Sequence, residues 1–228
     1  MVTLHVWQLP LPRVPRALVR VTRDRAALRR LPGVQFAKVL GTGDGATMRL
    51  RDATPDRWAL LLSWERASDA AAFDGTTVAR RWASLATGGW SATLKPLSSK
   101  GMWSRGLPFG RPVADSVHTG PVASITRARL RPRTAPRFWR SLPAVAGELR
   151  AAPGLRYAMG IGEAPVGLQG TFSLWEEVGA LQDFAYRRDA HRDVVARTRA
   201  EGWYAEELFA RFAVLDVAGL PGWGETRA

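Results

Sequence analysis

The sequence predicts an α+β fold: two tandem ferredoxin-like (βαββαβ) halves that form an intrachain dimeric α+β barrel. Three observations predict it. First, the chain repeats itself. LPGVQFAKVLGTGDG (Leu31 to Gly45) resembles APGLRYAMGIGEAP (Ala152 to Pro165), and WALLLSWERASDAAAF (Trp58 to Phe73) resembles QGTFSLWEEVGALQDF (Gln169 to Phe184). Second, the spacing is nearly constant. Trp64 recurs 111 residues later as Trp175, and Gly89-Trp90 recurs 113 residues later as Gly202-Trp203. Third, each copy reads as a sheet with helices on one face, so its other face needs a partner that a second copy supplies.

The elements follow in order. TLHVWQL is the first strand, and Pro12 to Arg30 is the first helix. Two strands follow, with GTGDG (Gly41 to Gly45) as the turn between them rather than a phosphate loop, since it joins strand to strand. Trp64 ends the second of these, and an Arg-rich helix leads to a final strand, SATLKPL. The second half repeats this with VASITRARL, a helix over Pro136 to Ala151, a strand ending at Trp175, and FARFAVLD. Ser98 to Pro121 carries three prolines and four glycines and reads as a long connection, packed through Trp103 and Phe109. The expected divisions are 1–97, 98–121, 122–217 and a loose tail, 218–228.

Composition narrows the function. The chain has 228 residues, is 46% hydrophobic, and carries no apolar run near the roughly 18 residues of a membrane span. It reads without a secretory signal, so the expectation is a cytoplasmic protein, with peripheral membrane contact left open. The absence of cysteine excludes disulfides, thiolate metal ligands and cysteine nucleophiles. The net charge of +13 makes nucleic acid the first partner to consider. However, the arginines are spread along the chain and no helix-turn-helix, zinc-finger or RNP signature is present, so nucleic acid is not expected. Anionic lipid head groups suit the same charge. No GxSxG elbow, Walker loop, HExxH or paired-histidine site appears.

The three histidines are His5, His118 and His191. His191 lies in DAHRDVVARTRAEGWYAEELFARF, on a stripe with Phe184, Val194, Val195 and Thr198 at helical spacing. Its counterpart in the first half is about Arg80, so only one half carries the histidine. From the residues alone, His191 is either a core histidine bonded to a carbonyl or a ligand.

The series TRARLRP, RFW, LPAVAGELRAAPGLRYAMGIGEAP, QGTFSLW and EGWYAEELFARFAVL resembles the spheroidene monooxygenase family, the acyclic carotenoid 2-ketolases. LPGVQFAKVLGTG, Ser63-Trp64, RRW and LKPLSSKGMWS in the first half agree. The resemblance spans nearly the whole chain. It implies a haem-dependent monooxygenase with haem b as cofactor, a small apolar or secondary-metabolite substrate, molecular oxygen and an electron donor. It also implies that His191 is the axial iron ligand. Arg188 and Arg192 would suit the haem propionates, and Arg127 or Ser173 would act as a polar donor at the site. Arg127 takes that role only if its strand face meets the helices; otherwise it is structural. Glu163, at a strand end, reads as a salt-bridge or turn residue. The family's TRAT is TRAR here, and Arg129 at that place puts the substrate in question more than the fold. A different haem reaction, such as aldoxime dehydration or other nitrogen–oxygen or nitrogen–nitrogen chemistry, stays open, as does a non-enzymatic barrel that binds haem or a hydrophobic ligand.

Overall fold

Alternating apolar residues give VTLHVWQ and VASITRARL their strand character, and each lies between two antiparallel neighbours. A computed structural model of the chain describes residues 1–45, 52–111, 118–163, 168–187 and 201–223. The chain divides into two units: Met1–Gly41 with Pro55–Lys95 and Val214–Ala228, and Thr42–Thr54 with Pro96–Ala213.

In the first unit, β1 (Val2–Gln8) lies antiparallel between β3 (Ala53–Trp64) and β4 (Gly88–Gly101), and β2 (Val34–Gly43) flanks β3. The helices are α1 (Val14–Leu28), α2 (Ala67–Ala71) and α3 (Thr77–Ala83). Period-two alternation sends Trp7, Trp58, Leu60, Leu62 and Trp64 towards them, where they pack with Leu28, Phe73, Val78 and Trp82. The polar tips of these rings are satisfied: Trp64 Nε1 donates to Thr3 Oγ1 at 2.9 Å and Trp82 Nε1 to Asp24 Oδ2 at 3.0 Å. A buried ring of this size removes roughly 150–250 Å² from water, about 4–6 kcal/mol of transfer free energy.

The second unit repeats the plan. β5 (Val122–Leu130) lies antiparallel between β7 (Leu168–Trp175) and β8 (Tyr204–Ala218), with β6 (Leu155–Gly162) beside β7. α4 (Ala135–Arg150) and α5 (Val178–Arg187) lie on one face. The orders β2-β3-β1-β4 and β6-β7-β5-β8 match. So do the turns after the first helices. Gly33 (φ 70°) and Gly154 (φ 75°) are both left-handed, and their carbonyls accept the N–H of Glu65 and Glu176 at 2.7 and 2.9 Å. A Cβ at Gly33 would overlap the Asp69 carboxylate, and one at Gly154 would lie 2.6 Å from Ala180 Cβ.

The expected fold, α+β with two ferredoxin-like halves and its strands in a closed barrel, is the fold the chain has. One boundary differs. The connection expected from Ser98 is still strand to Gly101, because the backbone keeps finding partners: Met102 N–H donates to the Glu207 carbonyl at 2.7 Å. Trp103 and Phe109 are buried as expected. Among the described residues no helix is long and apolar enough to cross a membrane.

Candidate functional site

The two units share a plan but not a filling. In the first, the helix-facing cross-strand pairs are Trp7 with Trp58, His5 with Leu60, and Thr3 with Leu62. The corresponding pairs in the second are Ala128 with Gln169, Thr126 with Thr171, and Ser124 with Ser173. On the next strand, Val39 becomes Gly160. Large apolar groups have given way to small or polar ones on the same framework. Native interiors are close-packed, so such a loss leaves space unless other side chains fill it.

Of these replaced positions, Thr171 lines a cavity. The cavity, of about 320 Å³, lies between α4 and the sheet of the second unit, a size at the lower end for small-molecule sites. Ala146, Leu149 and Leu155 give it apolar walls, Thr171 gives it a hydroxyl, and the β6 stretch from Tyr157 to Met159 runs along it. Gly45 closes one side, lying so near Gly160 that a Cβ on Gly160 would be 3.2 Å from its backbone. Two arginines stand at the rim. Arg150 donates to the Asp44 carbonyl at 3.2 Å, and Arg156 to Glu176 Oε1 at 3.2 Å. Arg150 is 55% exposed and also pairs with the Asp44 carboxylate at 3.8 Å.

Ser173 lies two residues beyond Thr171 on the same face of β7. It is buried, and its Oγ accepts from Trp175 Nε1 at 2.9 Å while its own O–H remains a donor. His191, Arg188 and Arg192 lie outside the described residues. Of the other histidines, His118 is hydrogen-bonded to the Pro121 carbonyl at 3.1 Å. His5 is buried in the first unit, 4.4 Å from the Phe73 ring, with no partner at Nε2. Burial pushes its imidazole down to about 4, against the opposing pull of Asp74. Arg80, the first-half counterpart of His191, is exposed on α3 and donates to the Gly75 carbonyl at 2.5 Å. Among the described residues no cluster of three or more His, Asp or Glu could hold a metal ion unaided.

Arg127 is on the other face of β5, with Ile125 and away from the helices. It is 2% exposed and held by two carboxylates: Nη1 donates to Glu206 Oε1, and Nη2 to Glu163 Oε1 at 2.7 Å. The Trp103 ring lies 5.4 Å from the guanidinium carbon, and its Nε1 donates to the same Glu163 oxygen at 2.7 Å. Glu206 also accepts the N–H groups of Ser104 and Arg105, two residues in the left-handed region. Burial alone would raise the Glu206 carboxyl, but the Arg105 N–H, Arg127 and the Ser104 N–H together hold it below the usual range. This arrangement sets Arg127 on the strand face turned from the helices, between two carboxylates. It ties the 103–106 turn to β5 and β8. Glu163 makes the salt bridge expected of it, and Arg129 is exposed. Glu206 gave no sequence signal. Thr126, Gln169 and Thr171 did, because WALLLSW set against QGTFSLW already shows Trp58, Leu60 and Leu62 replaced by Gln169, Thr171 and Ser173.

No protein-family model matches the chain. The spheroidene monooxygenase of Rhodobacter capsulatus is 32% identical over 210 residues, which covers 90% of this chain and 86% of the relative. That of Rubrivivax gelatinosus is 35% identical over 191 residues, 83% of this chain and 72% of the relative. Among solved structures, an aldoxime dehydratase in complex with butyraldoxime superposes with a TM-score of 0.63 at 10% identity, over 96% of this chain and 82% of that one. That likeness is one of fold.

Proposed function

The chain belongs to the spheroidene monooxygenase family, and from that premise we propose that it is a haem-dependent monooxygenase acting on an apolar, extended secondary metabolite of the carotenoid class. The observation that carries this reading is the cavity of the second unit, set on a sheet face whose counterpart in the first unit is filled by tryptophan and leucine.

The residues present suit a haem. About half of the lining is apolar, which suits the edge of a macrocycle, and the half-exposed guanidinium of Arg150, beside the Asp44 carboxylate, stands at the rim where haem carboxylates would reach water. His191 is the ligand in this reading, with Arg188 and Arg192 as further cations for the propionates. Haem b bound there supplies the redox chemistry that activates molecular oxygen. The chain supplies the surroundings. Ala146, Leu149 and Leu155 exclude water from the reacting region. The hydroxyls of Thr171 and Ser173 offer donors on the sheet side, and Ser173 is oriented by its bond to Trp175. Arg127 acts at a distance, as a tie within the unit.

The test is turnover. The protein is supplied with haem, an electron donor, ¹⁸O-labelled oxygen and an acyclic carotenoid in detergent. Label in the carotenoid product supports the reading. Haem uptake followed by dehydration of an aldoxime, with no labelled product, would replace it with the alternative haem chemistry. Haem uptake with no turnover of either substrate would leave a binding barrel.

A further inference from the structure

The surface of α1 carries a pattern that the proposed site does not use. Leu11, in the turn before the helix, and Leu18 and Val19 are 65%, 54% and 51% exposed. Isolated exposed apolar side chains are ordinary on a protein surface, but these fall on one line. Leu11, Pro15, Leu18 and Thr22 follow each other at spacings of four, three and four, and Val19 and Ala26 lie beside them seven apart. All six are exposed. Arg16, Arg23 and Arg30 border the ridge on one side at seven-residue spacing, and Arg25 and Arg29, seven residues after Leu18 and Thr22, continue its line at the C-terminal end; all five are exposed.

Acidic residues are missing from this face. Residues 11–30 contain seven arginines and one acid, Asp24. Asp24 is 2% exposed and turned inward, accepting from Trp82 Nε1 at 3.0 Å, with Arg81 Nη1 4.0 Å away. The outward face is therefore an apolar ridge with a cationic row along one side and two further arginines at its C-terminal end, and residues 11–30 offer no outward carboxylate to answer them.

We propose that this face of α1 docks the protein on an anionic lipid bilayer. The ridge matches the acyl boundary, and the arginines match the phosphates above it, with their methylene stems lying along the apolar surface. The net charge of +13 adds long-range attraction to the same partner. A nucleic acid would leave the leucines facing a polyanion without use for them. A second copy of the chain would set cation against cation. The inference stands on the surface alone and does not depend on the proposed reaction.

The experiment is co-sedimentation of the full chain with vesicles of phosphatidylcholine, with and without phosphatidylglycerol. Leu18→Asp/Val19→Asp, Arg16→Gln/Arg23→Gln and wild type are compared, with circular dichroism to check the fold. Expected is binding to the phosphatidylglycerol vesicles that weakens with salt. It should fall about fivefold for each arginine removed and be abolished by the aspartates. Three results would overturn the proposal: vesicle binding unchanged in both variants, binding to duplex DNA or RNA but not to vesicles, and a dimer in light scattering that the aspartates dissolve.

Discussion

Arg127→Met separates a structural arginine from a catalytic one. In the wild type the guanidinium is 2% exposed and bonded to Glu163 and Glu206, themselves 11% and 9% exposed. Methionine keeps much of the stem but removes the charge, so two carboxylates are left close together without their cation. Breaking a buried ion pair from one side costs about 3–5 kcal/mol. Glu163 keeps the Trp103 N–H, and Glu206 keeps the N–H groups of Ser104 and Arg105, which holds the cost towards the lower end. For a chain of this size, each kcal/mol lowers Tm by roughly 2–4 °C, so a drop of roughly 6–12 °C is expected in a thermal melt. Adding Glu163→Gln and Glu206→Gln removes the repulsion and should recover most of the loss. A melt unchanged by Arg127→Met would refute the structural assignment. So would a triple variant less stable than the single one.

Three further outcomes follow from the same geometry. Thr171→Leu with Ala146→Phe fills the cavity from the sheet and helix sides; haem uptake should fall at least about tenfold, a loss of about 1.4 kcal/mol, with Tm unchanged or raised, as seen by absorption and a melt. His5 has a folded-state value of about 4 against an ordinary 6.5, so the unfolded chain holds the extra proton between them. Its contribution is complete above pH 6.5 and is lost as pH falls, by about 3 kcal/mol at pH 4; His5→Leu should flatten that part of the pH dependence in urea titrations. Gly170→Ala would set a Cβ against the Thr126 carbonyl oxygen and 3.0 Å from Arg127 Cα, forcing β7 from β5. About 1–3 kcal/mol should be lost, read from the denaturant midpoint at constant slope.

The fold was legible because its signals are local and occur twice. VASITRARL is β5 from end to end, and Trp64 and Trp175 end β3 and β7 as their strand patterns indicate. Glycines after the first helices, Gly33 and Gly154, mark the same left-handed turn in both halves. The site was less legible, for two reasons. A cavity is made by what is missing, and the replacement of Leu60 by Thr171 acquires meaning only when both are known to face helices. The environment of Arg127 depends on partners 36 and 79 residues away, brought to it by strand pairing. Alternation places Arg127 with Ile125, but it cannot say which face of β5 the helices cover. The prolines and glycines of Ser98 to Pro121 mark a connection but not where it starts, and backbone partners carry β4 to Gly101.

The central claim is that the second unit holds one haem through His191. Haemin titration into the full chain, followed by absorption, tests it most directly against His191→Ala and Arg80→Ala. The account predicts a Soret band that saturates at one equivalent in wild type and in Arg80→Ala. His191→Ala should keep the wild-type circular dichroism and lose most of the band, with added imidazole restoring it. A wild-type chain that takes up no haem, or a His191→Ala chain with an unchanged spectrum, would contradict it.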